Sequence, residues 1–116
     1  MKGIRNLFQH EITPYQVEDK VTFRNVDKTL TLFVRSDAAG LVTRLIEAEK
    51  QMKEITVKSD ECQRVNVARF FAQAIFGEDQ GNRLFDFYND PLAVLAVCGD
   101  YFKTRLGKKI TKAQKK

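Results

Sequence analysis

Apolar and polar positions change their period along this chain. Residues 1–20, MKGIRNLFQHEITPYQVEDK, carry no sustained period. Pro14 turns Thr13 away from helical geometry, so the stretch is read as an irregular arm from which Leu7 and Phe8 can pack on a body. From Val21 the period is two. Val21 and Phe23 alternate with Thr22 and Arg24, and Leu30, Leu32 and Val34 alternate with Thr29, Thr31 and Phe33. The turn formers of Asn25-Val26-Asp27-Lys28 lie between the two runs, which predicts a β-hairpin over 21–34. A lone hairpin is marginal in water, so its apolar face must lie against helices.

After Ser36-Asp37, either of which can cap a helix, the period becomes helical. Leu41, Leu45, Ala48, Met52 and Ile55 recur at spacings of 4, 3, 4 and 3, with Val42 and Ile46 widening the stripe. This predicts an amphipathic helix over 37–54. Ser59-Asp60-Glu61 opens a second helix, 60–76, whose stripe is Val65, Ala68, Phe71, Ala72, Ile75 and Phe76. Gly77 is expected to stop it in the left-handed conformation. A short helix over 79–88 is anchored by Leu84, Phe85 and Tyr88. Asp90 as cap and Pro91 at the first helical position then open a helix over 91–106. The fold class is therefore α+β: an N-terminal hairpin packed on a mainly α-helical body of about four helices. The domain is placed at 21–106, between the arm and a basic tail, 107–116.

Charge sharpens that last boundary. Residues 103–116 hold seven Lys or Arg and no acid. Removing those seven from the chain's twenty leaves thirteen basic against fifteen acidic groups, so the rest of the chain is net −2. Phe102, Leu106, Ile110 and Ala113 keep helical spacing of 4, 4 and 3 through the tail, yet Gly107 weakens a helix there. The tail is read as a solvated segment that becomes helical on docking, and truncation at Gly107 is expected to leave the fold intact. Its seven charges would bind phosphates in a salt-sensitive way. However, no aromatic interleaving supports stacking on bases, and no recognition helix stands out.

The 116 residues, 43% hydrophobic with nine Phe and no Trp, suffice for one domain with a Phe-rich core. Cys62 and Cys98 are expected as reduced thiols on buried helix faces. No apolar run is long enough for a membrane span, and the N-terminus lacks the apolar core of a signal peptide. Catalytic chemistry finds little support. The single His10 sits in the arm, no zinc-ligand spacing occurs, and Gly77-Glu78-Asp79-Gln80-Gly81 lacks the Lys-Ser/Thr of a phosphate loop. No catalytic, metal or cofactor-binding residue is assigned, and a non-enzymatic protein is expected. Adjacent aromatic and apolar pairs stand about 100° apart on a helix, so one of each faces away from a single core stripe. Phe70-Phe71, Ile75-Phe76 and the Phe85, Phe87, Tyr88 group thus offer surface to a partner, to a second copy, or to a second packed layer.

The order of elements resembles a known family. A hairpin, VTFRNVDKTLTLFV, precedes a charged amphipathic helix. Then come a Phe-Gly-Glu-Asp junction at 76–79, a short Leu/Phe-rich helix, Asn89-Asp90-Pro91, a hydrophobic helix and a terminal basic stretch. Over roughly residues 20–116 this resembles the tail assembly chaperones of long-tailed phages and prophages of Gram-positive bacteria. The resemblance implies binding to the tape measure protein, which is kept soluble while tail tube protein polymerises around it. It also implies residence in the host bacterial cytoplasm and absence from the mature virion. Phe70, Phe87, Lys108, Lys109, Ile110 and Lys112 are the expected partner-binding residues, and a homo-oligomer is allowed. The rival readings are a virion structural or head–tail connector protein and, less favoured, a small nucleic-acid-binding protein using the basic tail.

Overall fold

The computed structural model describes residues 16–56 and 58–114. Strands β1, Gln16–Asn25, and β2, Lys28–Asp37, pair antiparallel through a two-residue turn, in the register Asn25↔Lys28, Val21↔Leu32 and Val17↔Ser36. The turn is Val26-Asp27, and Val26 has φ 57. The hairpin is longer than the period-two runs predicted. Its first strand begins within the expected arm, the rest of which, 1–15, lies outside the described residues. Val17, Val21, Phe23, Leu32 and Val34 face the helices and are buried.

Helix α1 is Ala38–Lys53, α2 Glu61–Phe76, α3 Glu78–Tyr88, α4 Pro91–Tyr101 and α5 Gly107–Gln114. The predicted caps form. Asp37 accepts from the Gly40 amide, Asp60 and Gln63 make a reciprocal capping box, and Asp90 accepts from the Leu92 amide. Gly77 alone joins α2 to α3. Its φ of 91 is positive as expected, but its ψ of 167 is extended, so it is not left-handed helical. That conformation belongs to Asn89, which ends α3. Helix α2 is central and packs on α1, α3, α4 and β2. Gly81 lets α3 approach it closely: a Cβ there would stand 2.6 Å from the Gln73 backbone.

An aromatic series binds the layers. The Phe23 ring meets Phe76 edge-on at 5.7 Å, and Phe76 stacks on Tyr101 at 6.0 Å. From Pro91 the helix does not stop at Leu106. A π-helical turn, Phe102–Leu106, carries it directly into α5, and the Gly107 amide donates to the Phe102 carbonyl. The buried positions along this rod are Val94, Cys98, Tyr101, Leu106, Ile110 and Ala113. One interval, Tyr101 to Leu106, is five residues, and the wider π turn absorbs the extra residue so that both faces stay aligned. Ile110 at 6% and Ala113 at 8% exposure belong to the core. The expected domain end at 106 is therefore too early, because the tail's apolar stripe packs on α1 and β1 instead of waiting for a partner.

Candidate functional site

Helix α1 buries Ala38, Leu41, Leu45 and Ala48, but its apolar stripe is wider than the surface covering it. Ile46 remains 53% and Met52 37% exposed, and across from them Phe102 of the π turn is 39% exposed. Together with Val42, Phe71 and Ile110 they line an open apolar groove of about 490 Å³ between α1 and the α4–α5 rod. Glu49, Lys53, Lys103 and Thr111 supply its polar margin.

Two glycines complete the wall. At Gly107 a Cβ would lie 3.1 Å from the Phe102 carbonyl, a tight approach to the backbone of the π turn, and in ordinary contact with the Phe102 ring at 3.7 Å. Gly99 is different. It sits inside α4, yet nothing lies within 4 Å of where its Cβ would stand. A Gly in a helix interior costs about 1 kcal/mol relative to Ala. No close neighbour requires it here, and its effect is to keep the groove open.

The two banks differ in charge. On α1, Glu49 and Lys53 pair with each other at 3.0 Å. On the opposite side a second hollow shares Phe102, Lys103, Gly107 and Thr111 with the groove and adds Lys108 and Lys112. Lys103, Lys108 and Lys112 are all exposed, and none forms an ion pair among the described residues. The π turn places Lys103 in line with the other two, five and four residues apart.

The rod is held to the hairpin by an acid on the hairpin's inner face. Asp19 stands opposite Val34, with its side chain only 9% exposed. It accepts hydrogen bonds from the Tyr101 hydroxyl at 2.7 Å and from Arg105, whose guanidinium also donates to the Lys20 carbonyl. Lys109 Nζ is 3.9 Å away. Burial pushes the Asp19 carboxyl upward, but hydrogen bonds from Tyr101, Arg105 and the Lys20 amide, with the Arg105 charge, hold it below its ordinary value. Burial, then the bond to Asp19, raises the Tyr101 phenol.

The residues expected to bind a partner separate into two groups. Ile110 lines the groove, and Lys108 and Lys112 the adjoining hollow. Lys109 turns toward Asp19 instead. Phe70 and Phe87 are half-buried against the core and line neither hollow. Phe87 meets the Tyr88 ring edge-on at 5.1 Å, and its carbonyl accepts from Asn25. Ile46, Met52, Phe102 and Gly99 were not singled out by the sequence reading. The signal for Ile46 was the excess width of the α1 stripe, whereas Met52 and Phe102 were expected within apolar stripes and are instead partly exposed.

Among the described residues no group of three or more His, Cys, Asp or Glu is placed to hold a metal ion, and no helix is long and apolar enough to cross a membrane. Burial pushes the Cys98 thiol up to about 12, as suits a core thiol. Cys62 corrects the expectation of two buried thiols: it is exposed in the first turn of α2, outside that helix's buried face. The arrangement offers shape and charge for binding a helix. Comparison with protein-family models, with curated proteins and with solved structures yields no match in any of the three.

Proposed function

We propose that this chain is a non-enzymatic tail assembly chaperone of a long-tailed phage or prophage. It binds a helical segment of the tape measure protein, keeps that client soluble during tail tube assembly in the host cytoplasm, and is absent from the finished virion. The observation that carries the reading is the open groove between α1 and the α4–α5 rod, walled by exposed Ile46, Met52 and Phe102. A tape measure chain presents long apolar helical stripes, and a groove of this kind accepts an amphipathic helix laid along it. Helix α1 has 16 residues and so spans about 24 Å, enough to face roughly four turns of client. The basic bank adds attraction and speeds encounter.

Co-expression with the tape measure reading frame of the same genome tests this. The client is expected in the soluble fraction only when this chain is present. A client equally insoluble with and without it removes the basis of the reading.

A further inference from the structure

The groove's charge asymmetry specifies its occupant more narrowly. We propose that the segment bound is an amphipathic α-helix whose apolar stripe is bordered on one side by acidic residues about one turn apart. This rests on the groove being the client site, and it adds the client's chemistry.

The α1 bank is self-neutralised by the Glu49–Lys53 pair. It exerts little net pull on either sign of charge. The opposite bank presents Lys103, Lys108 and Lys112 on one face, exposed and without ion pairs among the described residues. Neighbouring basic groups show what a carboxylate does here: Arg105 and Lys109, on the same rod, both turn to Asp19. The three lysines point to the hollow that adjoins the groove instead. Four helical residues rise about 6 Å, so Lys108 and Lys112 match carboxylates four residues apart on a helix lying alongside. The apolar stripe enters between Ile46 and Phe102, and the acidic border then faces the lysines. An exposed pair is worth little alone, but three in register discriminate between acidic and basic borders through both attraction and repulsion.

The test uses two synthetic helical peptides with identical Leu stripes at i, i+3, i+4 and i+7. One carries Glu along one border and the other carries Lys at the same positions. Binding to the intact chain is read by fluorescence anisotropy at low and high salt. The Glu peptide is expected to bind about tenfold more tightly than the Lys peptide at low salt, with the gap closing at about 0.5 M salt. The triple variant Lys103→Glu, Lys108→Glu, Lys112→Glu is expected to reverse the preference. The wild-type comparison stands even if that variant fails to fold.

Equal binding of the two peptides overturns the proposal. So does binding of neither peptide, whether a second copy of the chain or its own residues 1–15 fills the groove. Tighter binding to duplex DNA than to the Glu peptide also overturns it. The two readings fail separately. A solubilised tape measure client with no peptide preference keeps the chaperone and rejects the acidic border. A strong Glu preference with an insoluble client does the reverse.

Discussion

Replacing Ile110 with Ala tests whether the basic C-terminal segment is part of the folded body. Ile110 is 6% exposed, in the same packed cluster as Leu45 and Leu106. Buried Ile→Ala changes cost about 2–5 kcal/mol, the upper end requiring a sealed cavity. Ile110 borders the groove, so water can enter the space left behind, which places the cost near the lower end, about 2–3 kcal/mol. For a chain of this size that lowers the melting midpoint by roughly 8–15 °C. Urea unfolding followed by circular dichroism should show a lower midpoint with an unchanged slope, because the surface exposed on unfolding hardly alters. Lys108→Ala, two residues earlier and exposed, is the control and should stay within about 0.5 kcal/mol of wild type. An Ile110→Ala chain as stable as that control would show that α5 does not belong to the core.

Other outcomes follow from single positions. Gly81→Ala should destabilise by about 2–3 kcal/mol in the same unfolding assay, because the new methyl meets the Gln73 backbone and the two helices must separate. Val26→Gly should stabilise by about 1 kcal/mol, since a β-branched residue at φ 57 is strained and its exposed side chain gives little packing in return. Asp19 carries a pH signature. Its folded-state pKa lies below 3.8, so its contribution is fully present above that value and is lost as pH falls through the folded pKa. Asp19→Asn should therefore lower stability at neutral pH and flatten the acid limb of a stability–pH curve. An equally steep acid limb in the variant would refute that assignment.

Local pattern revealed the hairpin, the capped helix starts and α+β class because each rests on near neighbours. Val21 to Val34 largely alternate about the turn, Ser59-Asp60-Glu61 are contiguous, and Asp90 directly precedes Pro91. The missed features depend on distant partners. Asp19 breaks the alternation of Val17, Val21 and Phe23, so the polar run Glu18-Asp19-Lys20 hid the first half of β1. What makes an inward acid tolerable is Tyr101 and Arg105, 82 and 86 residues away. The four-residue step from Phe102 to Leu106 looks α-helical in sequence, but the buried residue is Tyr101, five positions before Leu106, and Gly107 beside it reads as an ending. Only a π turn makes the buried face continuous. The groove was half legible. Ile46 was evident as excess apolar width on α1 and Met52 as a member of its stripe, but their exposure follows from where the α4–α5 rod lies.

The most direct test of the groove as the client site is Gly99→Leu. The position has open space where the side chain would go, and Leu is the better helix former by nearly 1 kcal/mol, so the fold is retained while the groove is filled. The measurement is the soluble fraction of co-expressed tape measure protein with wild type and with this variant, both confirmed folded by thermal melting. The account predicts a soluble client with wild type and a precipitated one with Gly99→Leu. Equal solubility with both would contradict it.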